Sequence, residues 1–169
     1  MKKNNNVIIF IVLVLAFGTI LYLAANRSTP SPLSKSNPTI EQTKIFQSSN
    51  TMKFSIALPV TYSVEEKFGK VTVLTPSGEI YINQIGTNYD NLEDFLQNVK
   101  ERNKFSIKEE RKLIINDLPA MLWEKTDERL YMLYRENTVY TISTKPKSLY
   151  DNLDKIAKSF RYTPDSKSN

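Results

Sequence analysis

The chain has 169 residues, with 23 Lys and Arg against 18 Asp and Glu, no His, no Cys, one Trp and four Gly. Without imidazole or thiol there can be no Ser-His or Cys-His nucleophile pair, no His or Cys zinc site and no disulfide framework. The formal charge of +5 sits mostly at the front, where residues 1–45 carry Lys2, Lys3, Arg27, Lys35 and Lys44 against Glu41 alone; the nearly neutral remainder does not have the charge distribution of a nucleic-acid-binding domain, so no nucleic-acid partner is expected.

The first element is Val7 through Ala25, a run with no charge in which only Gly18 and Thr19 interrupt the apolar pattern. As a helix it rises about 28 Å, close to the ~30 Å hydrocarbon core of a bilayer. Lys2 and Lys3 precede it, Arg27 follows, and Tyr22 sits where an interfacial aromatic anchors the exit. These four are the expected membrane-interface anchors. The pattern predicts a retained transmembrane signal-anchor over 7–25, with the lipid bilayer as partner. Residues 1–6 are then cytoplasmic and the rest of the chain extracytoplasmic. A signal peptide cleaved near Ala25, releasing a secreted domain, is the alternative. A lipoprotein anchor is excluded, because there is no Cys to acylate.

Residues 26–45 hold Pro30, Pro32 and Pro38 among Ser and Thr, and predict a disordered tether reaching at most about 60 Å. A folded domain is expected over 46–162, and a frayed polar tail over 163–169. Within the domain, Lys53–Leu58 and Tyr62–Glu66 read as strands on either side of Pro59. Val71–Leu74 and Glu79–Ile85 read as a hairpin closed by Thr75-Pro76-Ser77-Gly78. Leu92, Phe95, Leu96 and Val99 have helical spacing within Asp90–Lys104, with Asp90 and Glu93 as cap and N3 partner.

Four consecutive strands are expected next, at Ile107–Ile115, Ala120–Thr126, Leu130–Arg135 and Thr138–Thr144, with Asn116-Asp117 and Glu136-Asn137 as turns. A last helix from Ser148 to Phe160 carries Leu149, Leu153, Ile156 and Phe160 as its apolar stripe, with Ser148 and Asp151 as a capping signature. Hairpin-linked strands and two amphipathic helices make an α+β domain: a mainly antiparallel sheet covered by two helices.

This order resembles the PsbP-like fold, found in lumenal photosystem II subunits and in uncharacterised bacterial lipoproteins and membrane proteins. The resemblance is carried by Phe54-Ser55-Ile56-Ala57-Leu58-Pro59, Ile115-Asn116-Asp117-Leu118-Pro119-Ala120, Asn137-Thr138-Val139-Tyr140-Thr141-Ile142 and Lys155-Ile156-Ala157-Lys158-Ser159-Phe160. It implies an accessory role. Tyr62 stands where an aromatic Trp is usual, and metal binding through His has no counterpart in a chain without His. No functional residue carries over.

Other constellations are weak. Asn88, Asp90, Glu93 and Asp94 offer oxygen ligands for Ca²⁺ but lack the spacing of a calcium loop, and acids in a first helical turn already complement the helix dipole. Ser106/Lys108 and Ser143/Lys145 are not S-x-x-K, and Gly69-Lys70 lacks the rest of a P-loop. Trp123, Tyr131, Tyr134 and Tyr140 suit either a stacking surface or ordinary strand packing. The charged runs Lys100–Lys104 and Lys108–Lys112 read as solvated faces. No catalytic, cofactor-binding or metal residue is expected. The sequence points to a non-enzymatic extracytoplasmic interaction domain with an envelope protein partner; the alternative is a hydrolase or small-ligand-binding protein relying on carboxylates alone.

Overall fold

The computed structural model describes residues 42–103 and 106–164. The 7–25 segment, the anchors Lys2, Lys3, Tyr22 and Arg27, most of the 26–45 tether and residues 165–169 lie outside the described residues. Among those described, no helix is long and apolar enough to cross a membrane.

Among the described residues, ten strands and two α-helices follow in this order: β1 Thr43–Gln47, β2 Phe54–Pro59, β3 Ser63–Lys67, β4 Lys70–Thr75, β5 Gly78–Gly86, α1 Leu92–Arg102, β6 Ile107–Ile115, β7 Leu118–Lys125, β8 Arg129–Arg135, β9 Thr138–Thr144, α2 Tyr150–Ser159 and β10 Arg161–Tyr162. Seven strands form one antiparallel sheet in the order β3-β4-β5-β9-β8-β7-β6, and β1-β2-β10 form a second, three-stranded sheet. The strand ladders of both sheets are antiparallel.

Alternation along each strand sorts side chains onto the two faces of the large sheet. Val71, Val73, Ile80, Ile82, Leu122, Tyr131, Leu133, Tyr140 and Ile142 project into the main core, where α2 supplies Leu153, Ile156 and Ala157 and β2 supplies Phe54, Ile56 and Leu58. Three rings lie at its centre. Phe54 stacks on Phe160 at 5.1 Å between centroids, and Tyr140 packs on Phe160 at the same distance. On the opposite face Met121, Trp123, Leu130, Met132 and Val139 meet Leu92 and Leu96 of α1 in a smaller core. The two helices therefore cover opposite faces, and only one face also has a second sheet.

Side-chain hydrogen bonds fasten these layers. Ser159 Oγ accepts from the Ala57 amide at 2.9 Å, tying the end of α2 to β2. Asn116 Nδ2 donates to the carbonyls of Lys158 (3.0 Å) and Phe160 (2.7 Å), which satisfies backbone acceptors at the helix end. Buried Ser48 closes the small sheet, accepting from the Phe54 amide and donating to its carbonyl.

Within the described residues the strands, the two domain helices and the turns expected over 46–162 are present, with shifts at several ends and some differences in arrangement. The first is at the tether: Thr43 and Lys44 belong to β1, which pairs with Leu58 and Pro59 of β2. A polar, Lys-bearing edge strand has no hydrophobic alternation to announce it, and it exists because β2 has a free edge. The second is that β2 leaves the main sheet altogether. The third is β10, two residues whose pairing with Phe54 and Ser55 follows from the docking of α2.

Caps also move. The cap of α1 is Asn91 instead of Asp90: its Oδ1 accepts from the Asp94 amide at 2.9 Å, and its Nδ2 returns a bond to the Asp94 carboxylate at 2.8 Å. The cap is thus formed one residue later, with a side-chain bond in place of the box's second backbone bond, and the helix ends at Arg102 instead of Lys104. Ser148 caps nothing. A 3-10 turn over Lys147–Leu149 leads into α2, whose N-cap Leu149 makes no side-chain bond because its apolar side chain is wanted in the core.

Candidate functional site

The densest polar cluster is at the end of the large sheet where the β7–β8 hairpin meets α2. Arg129, the first residue of β8, places its guanidinium between two carboxylates. Nη2 donates to Glu124 on β7 at 2.6 Å, and Nη1 to Asp154 on α2 at 3.1 Å. Tyr131 OH donates to the same Asp154 at 2.9 Å. The Arg129 guanidinium lies 4.4 Å from the centre of the Tyr150 ring. Beside it Lys125 pairs with Glu128 at 3.0 Å.

The electrostatics of this cluster are those of a clamp. The hydrogen bond from Arg129, against a smaller opposing effect of burial, holds the Glu124 carboxyl below the usual carboxylate range. Burial first, and then the bond to Asp154, push the Tyr131 hydroxyl well above its ordinary value. Burial, reinforced by the charge of Glu124, also raises Tyr150. A general acid needs a carboxyl held protonated near neutrality; Glu124 is displaced in the opposite direction. The cluster joins a hairpin to a helix by charge-assisted bonds across a half-buried seam.

A groove of about 300 Å³ runs between α1 and the edge strand β6, and continues into a second depression of similar volume, about 310 Å³. Leu92, Leu96, Ala120 and Met121 form its apolar floor. Two ion pairs bridge it: Lys100 to Glu110 at 2.6 Å and Lys112 to Glu93 at 3.4 Å. A third depression, about 360 Å³, lies at the opposite end of the sheet from the Arg129 cluster, among Asn116, Asp117, Arg135, Arg161 and Tyr162. All three are open to solvent on one side, the shape that receives a side chain or a segment of another chain instead of enclosing a small molecule.

The residues singled out from sequence fall into these places. Trp123, Tyr131 and Tyr140 are buried, split between the two cores, and Tyr134 donates to the Tyr89 carbonyl at 2.8 Å, so the four do not form a stacking surface. Asp94 is used by the helix cap and Glu93 by Lys112. Ser143 sits in the β9 ladder opposite Tyr81 and Leu130, while Lys145 lies beyond the strand end. Gly69 with Phe68 makes the β3–β4 turn. Among the described residues no group of His, Cys, Asp or Glu could hold a metal ion. The Arg129 cluster was not anticipated: its members are separated by up to 30 positions, and no local pattern joins Glu124 to Asp154.

No family model matches the chain, and no curated protein matches it. Among solved structures it is similar to the solution structure of cyanobacterial PsbP from a Synechocystis species, at 9% identity and a TM-score of 0.49, over 78% of this chain and 99% of that one. It is also similar to a Pseudomonas aeruginosa protein of unknown function, at 14% identity and a TM-score of 0.37, over 66% of this chain and 88% of that one. No residue's role follows from either likeness.

Proposed function

We propose that this chain is a non-enzymatic interaction domain, held at the outer surface of a membrane by residues 7–25 and docking an envelope protein. The observation that carries the reading is the Arg129 cluster. The carboxylates best placed for chemistry, Glu124 and Asp154, are tied to one guanidinium, and Glu124 is held ionised. A carboxylate hydrolase needs the reverse, a pair of acids whose environments push one of them up toward neutrality. What the molecule offers a partner is open, shallow relief on a well-braced scaffold. The anchoring rests on the uncharged 7–25 segment and its flanks Lys2, Lys3, Tyr22 and Arg27.

The test is made on the intact chain in its own membranes. Protease applied to spheroplasts should remove the domain and leave a short membrane fragment, and cross-linking through surface lysines should join the chain reproducibly to one envelope protein. Protection until the membrane is permeabilised overturns the topology. A mature N-terminus at Asn26 makes the segment a signal peptide. Turnover of an envelope substrate that Glu124→Gln abolishes without unfolding the chain overturns the non-enzymatic reading.

A further inference from the structure

Three two-residue hairpin turns cluster at one end of the large sheet: Phe68-Gly69 between β3 and β4, Asn116-Asp117 between β6 and β7, and Glu136-Asn137 between β8 and β9. In each, both central residues have positive φ. This is the type I′ geometry, for which Asn, Asp and Gly are the suited residues.

Two of these turns are fastened to the rest of the domain. Asn116 bonds the end of α2, and Glu136 accepts from Tyr162 OH at 2.7 Å. Phe68 differs on every count. It is a bulky aromatic at φ 50, where such a side chain is a genuine outlier. Its side chain is fully exposed, at 105% of the reference area. Next to it, Lys67 and Lys70 stand directly opposite each other across the ladder, an arrangement in which like charges cost stability.

Three locally unfavourable choices therefore meet in one four-residue stretch, Lys67-Phe68-Gly69-Lys70. Nothing in the domain is repaid by them. Local rules broken together at one exposed point mark a functional surface rather than a folding device.

The order of groups along the hairpin indicates the chemistry of the partner. The aromatic ring is at the apex. The two ammonium groups come next, with the Lys67 side chain 71% exposed beside Glu65 and Lys70 poised over the Tyr81 ring at 4.0 Å. The acids follow along β3: Glu65 pairs with the Lys67 ammonium at 3.1 Å, a highly exposed pair that a headgroup phosphate can replace, and Glu66 accepts from the Ser49 amide at 3.0 Å. Apolar tip, cationic collar and acids behind match the layering of a membrane surface, with acyl chains innermost, phosphates above them and water beyond. Lysine stems can lie along the apolar layer while their heads reach the phosphates.

We infer that the β3–β4 hairpin tip is a lipid-binding element, inserting Phe68 into the interface of a bilayer while Lys67 and Lys70 engage anionic headgroups. The inference goes beyond the anchoring proposed above: the chemistry is that of the tip alone, and its occupancy at the membrane rests on that anchoring. A single exposed ring and two charges give weak binding, which becomes significant only when something else holds the domain near the surface.

The experiment uses the full chain carrying Phe68→Trp, reconstituted in nanodiscs of phosphatidylcholine with or without phosphatidylglycerol, with acyl chains brominated to quench tryptophan at membrane depth. The native Trp123 is buried beneath α1 and provides the unquenched reference. The introduced indole should be quenched several-fold more in the anionic discs, and Lys67→Gln with Lys70→Gln should remove most of that difference. In a separate variant, Phe68→Asn should raise the thermal midpoint by a few degrees, because Asn-Gly suits the turn. No quenching in either lipid, equal quenching in both, or a lowered midpoint for Phe68→Asn overturns the inference. Loss of a protein cross-link in Phe68→Asn without any quenching assigns the tip to a protein instead. If the chain fails to enter nanodiscs at all, the anchor reading fails, and quenching on addition to preformed anionic vesicles of the same lipids, titrated to concentrations that saturate weak binding, still decides the tip.

Discussion

The two faces of the large sheet are covered differently. One is sealed by α2 and by the second sheet together, with Phe54, Tyr140 and Phe160 interlocked at the centre. The other has only α1, an 11-residue helix lying over β7 and β8, so that a groove stays open along β6. The small sheet makes the difference. A helix alone covers a stripe of sheet, whereas a helix with a sheet beside it covers an area, and the uncovered margin is where relief available to a partner remains.

The largest effect expected from this contrast comes from cutting one residue out of each core. Phe160→Ala should cost about 3–5 kcal/mol, a large share of the ~5–15 kcal/mol that holds a domain together. Leu96→Ala on α1 should cost about 2–3 kcal/mol, in the lower part of the usual range, because the adjoining groove lets water reach the vacated space. Lys158→Ala, on the exposed side of α2, should change the midpoint by less than about 0.5 kcal/mol. Denaturant midpoints decide the order, and a larger loss for Leu96→Ala than for Phe160→Ala would reverse the assignment of the main core. Native-state hydrogen exchange should show α1 opening before α2.

A smaller effect probes the sealed face by titration. Tyr131 and Tyr140 both belong to the sealed face. Burial first, then the nearby Tyr162 and Glu136, push the Tyr140 hydroxyl up to about 12, and Tyr131 is raised further by burial and by its bond to Asp154. Both folded values lie above the unfolded value of about 10. Their contribution to stability is therefore complete below pH ~10, and is lost as pH climbs through the folded values. Denaturant midpoints should begin to fall above pH ~10 and keep falling past about 12. Tyr131→Phe should flatten that limb while costing the hydrogen bond to Asp154. An unchanged midpoint up to pH ~12 would mean that these hydroxyls ionise freely in the folded state.

The smallest effect belongs to the bridges across the groove. Lys112→Ala breaks a 3.4 Å pair between side chains that are 70% and 56% exposed. It should cost no more than about 0.5 kcal/mol, and added salt should erase the difference. A cost above about 1 kcal/mol would mean that this pair holds α1 down, and that the groove is less open than its charges imply.

The fold was legible wherever periodicity is local. Strand alternation at β4 and β5, the i, i+3, i+4, i+7 stripe of α1 and the Leu149, Leu153, Ile156, Phe160 stripe at α2 are written in neighbouring residues, and each buries the face it specifies. Turn chemistry located Asn116-Asp117 and Glu136-Asn137 in the same way. Caps were legible to within a residue: Asp90 and Asn91 are both good caps, and the structure uses Asn91, whose Oδ1 accepts from the Asp94 amide. At Gly69 the sequence offered only an incomplete P-loop pattern, with nothing to say that Phe68 stands fully exposed at the apex of a turn.

The sequence by itself determined which residues face inward, because a period of 2 or 3.6 depends only on bonded geometry. The tertiary structure decided which inward faces meet. The Phe54, Ile56 and Leu58 pattern of β2 is equally consistent with a place in the seven-stranded sheet. It lies instead in a second sheet, because α2 docks beside it and brings β10 to one edge while β1 takes the other. The Arg129 cluster was decided at the same level, since Glu124, Arg129 and Asp154 acquire a common site only once the β7–β8 hairpin and α2 are packed together. Strand pairing and charge clustering are long-range choices, settled by the free energy of the whole packed domain, and no window of adjacent residues contains them.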